Sequence, residues 1–176
     1  EPIDPRAAVP EGIEEILLIS KALVDLTPGS TKGQLLYAST EYLARNFETA
    51  QETIQNCLRF DPKNARAFML LAQICFEQEN YSSATDDLDQ ALSNDFKLRH
   101  SAQFNILKAK VHLKLHEYDQ AVFVLEKAVV QCESNNNTEE PNAKSEEMLT
   151  GHTSIKDRVA IHMDLIRVYL KKNEND

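Results

Sequence analysis

His112 and His116 lie four residues apart, the spacing that sets two imidazoles on one face of a helix where they can share a zinc ion. The metalloprotease form of that pair carries Glu directly after the first His. Here that position is Leu113, and of the carboxylates only Glu117 adjoins. No cysteine is placed nearby to complete a tetrahedron, so the pair reads as two solvated or half-buried histidines. Cys57, Cys75 and Cys132 are the other reactive side chains, with His100 and His162 as bases to set beside them. A nucleophilic thiol needs exposure and thiolate character, whereas each of these cysteines falls in a segment expected to be a core-facing helix. Three widely spaced cysteines read as small apolar side chains in a reducing compartment. There is no G-x-S-x-G, P-loop or G-x-G-x-x-G, and four glycines spread along the chain cannot cradle a phosphate. Asn80-Tyr81-Ser82 and Asn136-Asn137-Thr138 match the glycosylation sequon, which carries meaning only in a secreted chain. No acid, base and nucleophile converge in the pattern. The expectation is a protein that is not an enzyme, with no cofactor, no metal and no small-molecule substrate.

The elements that would position these residues are helical. In 176 residues there are only four Gly and six Pro, which disfavours a turn-rich β architecture. The length suits one domain with a sizeable core. The net charge of −9 argues against a nucleic-acid partner, which needs clustered Lys and Arg. Much of the charge sits at the edges: Glu1, Asp4, Glu11, Glu14 and Glu15 against Arg6, and five Glu against Lys144 across residues 133–153. No apolar run approaches the ~20 residues that span a bilayer, so no membrane insertion is expected. The opening EPIDPRAAVPEG is acidic and proline-broken, unlike a signal peptide.

Self-comparison exposes a repeat. Pro28 and Pro62 are 34 residues apart, and so are Phe47 and Tyr81, and Ala50 and Ala84. In ARNFETAQETIQNCLRFDP, EQENYSSATDDLDQALSNDF and KLHEYDQAVFVLEKAVVQC a polar turn precedes an aromatic residue, Phe47, Tyr81 or Tyr118. Ala follows three residues later (Ala50, Ala84, Ala121), then an apolar residue (Ile54, Leu88, Leu125) and a small one (Cys57, Ala91, Ala128). The third unit is displaced by 37 residues, which places a three-residue insertion in SNDFKLRH. Two antiparallel helices approach closely only where small side chains face each other, and large apolar residues then fill the space to the next hairpin. Proline ends a second helix because it lacks an N–H and clashes with the preceding turn.

This pattern resembles the tetratricopeptide repeat. In the second unit Phe68, Leu71, Ala72 and Cys75 stand where that repeat usually has Trp, Leu, Gly and Tyr. The first unit departs, with Gln34 and Glu41 at large-residue positions and Tyr42 one place late, and the third lacks the terminal proline. The resemblance implies an all-α fold of helical hairpins stacked as an α-solenoid. Period and breakers place an irregular segment over 1–10 and a repeat array over 11–132. Within the array an orphan helix at 11–26 precedes units at about 31–64, 65–98 and 102–132. Helix pairs are expected at 31–44 with 47–59, 65–78 with 81–93, and 100–115 with 118–132. Residues 133–153 hold no apolar period and read as a polar, acidic, flexible loop. That loop is either a partner-binding or phosphorylated segment or a tolerated surface insertion. Residues 154–172 read as the first helix of a further repeat, with Val159, Met163, Ile166 and Tyr169 or Leu170 along its apolar face. Both ends look cut, so the expectation is a fragment of a longer superhelix.

A closer resemblance covers residues 15 to 172. DPKNARAFMLLAQI, the stretch ALSNDFKLRH with its insertion, ILKAKVHLKL, and the polar insert before RVAIHMDLIRVYLK are similar to the tetratricopeptide repeat protein 21 family. That family supplies the large repeat subunit of intraflagellar transport complex A. The resemblance implies a scaffold in retrograde ciliary transport and cilium assembly, in the cytoplasm and cilium, with other complex A subunits as partners. The alternative is a generic cytoplasmic adaptor that binds a peptide or helix in its concave groove.

In stacked hairpins of this type the first helix of each pair lines the inner surface. By register, the expected contact residues are Lys32, Leu35, Ser39 and Tyr42, then Arg66, Met69, Gln73 and Phe76, then Gln103, Ile106 and Lys110. The competing reading is that each is covered by a neighbouring hairpin or simply solvated. Chaperone-binding members of the repeat class hold a C-terminal carboxylate with Lys and Asn at the first unit's inner positions. Leu35 and Ser39 stand there instead, which disfavours a co-chaperone.

Overall fold

The computed structural model describes residues 12–134 and 155–173. The segment expected to be irregular, 1–10, lies outside the described residues, as does the expected loop apart from its first two positions, which belong to a helix. Among the described residues there are eight α-helices and no strand: α1 (Ile13–Leu26), α2 (Thr31–Leu43), α3 (Phe47–Phe60), α4 (Ala65–Glu77), α5 (Tyr81–Asn94), α6 (Ala102–Lys114), α7 (Tyr118–Ser134) and α8 (Ile155–Asn173). A 3-10 turn, Phe96–His100, fills the place of the expected insertion, so α6 begins later than the periodicity suggested. The fold is an all-α stack of tetratricopeptide hairpins.

Short polar side chains start the helices by taking up N–H groups that have no partner within the helix. Ser30 Oγ accepts from the Gly33 N–H at 3.2 Å, and Asn64 Oδ1 from the Ala67 N–H at 3.2 Å. Asn80 Oδ1 accepts from the Ser83 N–H at 3.3 Å.

Each hairpin turns through the same backbone device. Arg45, Glu79 and His116 take the left-handed conformation, with φ of 66°, 62° and 62°. The following residue's N–H reaches back to a carbonyl five positions earlier: Asn46 to Glu41 at 2.9 Å, Asn80 to Cys75 at 2.8 Å, Glu117 to His112 at 2.9 Å. This is the Schellman closure of a helix C-terminus, built three times without glycine.

Small residues let the hairpins close. Ala50, Ala84 and Ala121 are all fully buried, as are Ile54, Leu88 and Leu125 one turn on. The core divides into three clusters, each shared by one hairpin and the first helix of the next. Ala38, Ala50, Ile54 and Cys57 pack with Leu70 and Ile74; Cys75, Ala84 and Leu88 with Phe104, Leu107 and Val111; Ala109, Ala121 and Leu125 with Ile161 and Val168. No hairpin covers its own apolar side, which is why the units stack.

The departures of the first unit from the repeat pattern have a physical role. Gln34 and Glu41 are buried, and so are Asn105 and His112 at the matching places of the third unit. Gln34 Nε2 donates to the Pro28 carbonyl at 2.6 Å, and Asn105 Nδ2 to the Arg99 carbonyl at 3.0 Å. Glu41 Oε2 accepts from Asn46 Nδ2 at 2.7 Å, and His112 Nδ1 lies 2.7 Å from Glu117 Oε2. In both units, polar pairs tie down the link before the hairpin and the turn within it, where the second unit uses apolar filling. Tyr37 shares the Glu41 carboxylate; burial first, then that hydrogen bond, push its pKa up to about 12.

Val159, Met163, Ile166 and Leu170 lie along one stripe of α8, as the periodicity suggests, and that stripe is exposed. The buried face is the opposite one, with Ile161 and Val168 in the core and Leu165 packed beside them. α8 carries two apolar stripes, and the one that packs on α6 and α7 is Ile161–Leu165–Val168. α1 likewise leaves Ile16, Ile19, Leu23 and Leu26 exposed along one side.

Candidate protein-binding face

Successive first helices touch one another: α2 meets α4, α4 meets α6, and α6 meets α8. The second helices α3, α5 and α7 contact first helices before and after them. First helices therefore form one continuous wall, the inner surface of a stacked array.

The residues expected on that wall sit there with varied exposure. Lys32, Arg66, Gln103 and Lys110 are exposed; Leu35, Ser39, Tyr42, Met69, Gln73, Phe76 and Ile106 are half-buried. Leu35 and Tyr42 lean on the first core cluster, Met69 and Phe76 on the second, Ile106 on the third. Ser39 Oγ donates to the Leu35 carbonyl at 2.7 Å, turning its hydroxyl back to its own helix. Tyr42 meets Phe47 with ring centroids 6.0 Å apart, and Phe76 meets Tyr81 at 5.7 Å, so both rings brace a hairpin turn. The Arg45–Glu77 pair at 2.7 Å links the ends of α2 and α4. Burial and the neighbouring Glu77 charge raise the pKa of Tyr42, with Arg45 opposing.

Two of the expected residues, Phe76 and Lys110, come together in a groove of about 510 Å³ at the end of the wall. The volume lies in the range of pockets that hold a ligand or several side chains. Its floor is apolar, with Ala109, Leu113, Leu125 and Val168, and Leu170 stands at its edge. Lys110 and Lys114 of α6 and Arg167 and Lys171 of α8 rim it. Among the described residues Asp164 is the one carboxylate in the lining, 8% exposed, and its Oδ1 accepts from Arg167 Nη1 at 2.9 Å. Leu35, Ser39, Tyr42, Arg66, Met69, Gln73 and Ile106 do not line the groove.

Sequence reasoning missed the α8 contribution. The periodicity singles out the Val159–Leu170 stripe, and it marks neither the inward stripe of Ile161, Leu165 and Val168 nor Arg167 and Lys171 beside α6.

Of the residues first considered for chemistry, four are held in structural contacts or buried. His112 is buried against Glu117, and His116 Nδ1 lies 2.8 Å from the Tyr118 hydroxyl. Cys57 and Cys75 are buried free thiols. Burial, then the Asp87 charge and hydrogen bond, push Cys75 up to about 11, while burial raises Cys57. The side chain of Cys132 lies outside the described residues. No group of three or more His, Cys, Asp or Glu converges as a metal site among the described residues. No described helix is long and apolar enough to cross a membrane.

Comparison with known proteins finds two models of one family. The second ARM domain of tetratricopeptide repeat protein 21 matches residues 1–79, and the ARM repeat of the same protein matches 96–176. A general tetratricopeptide repeat model matches 65–97. Human tetratricopeptide repeat protein 21B is 29% identical over 73% of this chain and 10% of its own length. Mouse tetratricopeptide repeat protein 21A is 26% identical over 84% of this chain and 10% of its own. The chain thus spans about a tenth of the length of these relatives. Among solved structures, a thermophilic tetratricopeptide protein of Thermus thermophilus superposes with a TM-score of 0.68 at 16% identity, covering 88% of this chain and 73% of that one. The TPR2AB domain of yeast Sti1, solved as a pHSP90 complex, gives 0.62 at 16% identity, covering 89% and 52%. At these identities the structural likeness speaks for the fold.

Proposed function

Since the chain belongs to the tetratricopeptide repeat protein 21 family, we propose that it is a non-catalytic scaffold contributing a protein-binding surface to a large assembly, namely intraflagellar transport complex A. On this reading it works in the cytoplasm and cilium, at the axoneme or basal body, in retrograde transport and cilium assembly. The observation that carries the scaffold reading is the continuous wall of first helices, whose side chains are half-buried or exposed and held by a stacked core. A wall of this kind supplies shape and contact area, and its polar and apolar side chains suit an extended segment or a partner helix. Buried thiols with raised pKa values and a buried, carboxylate-paired histidine support a role without turnover.

Tagged full-length protein expressed in ciliated cells should co-purify the other complex A subunits. Purification without them would overturn the complex A assignment.

A second reading, a generic adaptor, is favoured by the groove between α4, α6 and α8. A 32% identical match to Arabidopsis Hsp70-Hsp90 organizing protein 3 covers 45% of this chain. Leu35 and Ser39, where chaperone-binding repeats carry cationic and amide side chains, argue against a chaperone tail as the ligand.

A further inference from the structure

Between α5 and α6 the chain departs from its 34-residue step, and the insertion is built as a fixed projection. Its 3-10 turn, Phe96–His100, is held at three points. Leu98 packs on the second core cluster, the buried Asn105 donates to the Arg99 carbonyl at 3.0 Å, and Asp95 Oδ1 accepts from the Lys97 N–H at 3.0 Å. Held in this way, the turn leaves Phe96 62% exposed, with the Arg99 guanidinium carbon 3.9 Å from the centre of its ring. A second ring, Phe60 at the end of α3, is 61% exposed.

The two rings share one edge of the molecule. α4 starts where α5, its antiparallel partner, ends, so the link before α4 and the link after α5 emerge side by side. Packed helix axes lie about 8–10 Å apart. Arg59 and Lys63 stand on the first link and Lys97 and Arg99 on the second, all exposed, with Arg66 at the corner shared with the inner wall. None of these cations makes an ion pair among the described residues. The carboxylates of the two links, Asp61 and Asp95, are turned to their own backbone and side chains: Asp61 Oδ2 accepts from Asn64 Nδ2 at 3.0 Å, and Asp95 caps the turn. In a chain of −9 this edge is net positive.

We propose that this link edge, apart from the inner wall of first helices, docks an acidic segment of a partner protein whose large apolar side chains cover Phe60 and Phe96. This goes beyond the scaffold reading above and rests on it. Aromatic and Arg side chains are enriched where proteins meet, and four cations without carboxylate partners gain them on docking. A uniform polyanion, such as nucleic acid or an anionic bilayer, also presses charge on Asp61 and Asp95, whereas a protein segment can space its acids past them. Because the turn is fixed before binding, the ordering cost falls chiefly on the partner.

The test uses the 176-residue chain, with circular dichroism confirming that each variant is folded. A library of short random peptides displayed on phage is panned against it, and the enriched sequence is made as a labelled peptide for anisotropy. Enriched peptides should combine Asp or Glu with large apolar residues. Their affinity should fall about tenfold or more in Lys97→Glu/Arg99→Glu and in Phe96→Ser, and several-fold in Arg59→Glu/Lys63→Glu. Rising salt should weaken it. Lys110→Glu/Lys114→Glu, on the inner wall, should leave it unchanged. No enrichment, or enrichment of peptides lacking acidic residues, overturns the proposal. So does affinity lost in the inner-wall variant and kept in the link variants. Tighter binding to vesicles of phosphatidylcholine and phosphatidylserine, or to an oligothymidylate, than to any enriched peptide overturns it as well. Full-length protein that co-purifies its assembly while the chain binds no such peptide removes the link edge alone. Peptide binding that depends on Phe96 while co-purification fails removes the complex A assignment and leaves the edge.

Discussion

His112 Nδ1 lies 2.7 Å from a carboxylate oxygen of Glu117, across the turn that joins α6 to α7. The imidazole is 5% exposed, so its polar edge depends on this partner. Replacing Glu117 with Ala strands a buried polar group and should destabilise the chain by about 1–3 kcal/mol. His112→Leu in the same background removes the orphan and should recover most of the loss, because pairing apolar groups of similar shape is nearly neutral. Urea midpoints of the three variants measure this; equal loss in the single and double variants would refute it.

Ala84 is fully buried where α4 and α5 meet. Ala84→Leu adds three heavy atoms to a closed contact and should destabilise by about 1–3 kcal/mol or more. Thermal unfolding followed by circular dichroism should show a clear drop in Tm. A shift indistinguishable from that of a surface substitution would contradict the nesting of the helices.

Glu79 holds φ of 62° in the turn between α4 and α5, and its side chain is exposed. An L-residue in that conformation carries about 1 kcal/mol of strain, and glycine carries none. Glu79→Gly should raise Tm by about 1–4 °C once the greater freedom of glycine in the unfolded chain is set against the gain. Any fall in Tm argues against the left-handed turn.

Burial chiefly, then Asp87, lifts the Cys75 thiol from its ordinary value of 9.0 to about 11 in the folded chain. A folded pKa above the unfolded one means that the protonated thiol adds stability below pH 9, and this is lost as pH rises toward 11. Stability measured between pH 8 and 11 should therefore fall more steeply in the parent chain than in Cys75→Ala. Parallel curves for the two would count against the buried thiol.

α8 docks through Ile161 and Val168, while Met163 is 47% exposed. Val168→Asp puts a carboxylate among Ala121, Leu125 and Ala128, and α8 should lose its hydrogen-exchange protection. Met163→Asp should leave protection unchanged, with stability within about 0.5 kcal/mol. The reverse ranking would contradict docking through Ile161 and Val168.

The hairpins and their boundaries are legible in the chain itself because their causes are local. Ala50, Ala84 and Ala121 recur where helices must nest, Asn64 and Asn80 start helices, and Pro28 and Pro62 follow helix ends. Side-chain volume, capping and the missing proline N–H act within a few residues of where they are written. The inner positions Phe76 and Lys110 follow from the same register.

What tertiary structure alone decided is which face of α8 turns inward, and hence the groove. α8 carries two apolar stripes, Val159–Met163–Ile166–Leu170 and Ile161–Leu165–Val168, and its own sequence does not say which of them packs inward. The ranking comes from Ala109, Ala121 and Leu125, which lie tens of residues away and close only over the second stripe. Gln34, Glu41, Asn105 and His112 find their partners only five or six residues away, but the period gives no sign that those pairs form. A polar side chain in a core position looks like a defect until its partner is placed, because burying it unpaired is costly.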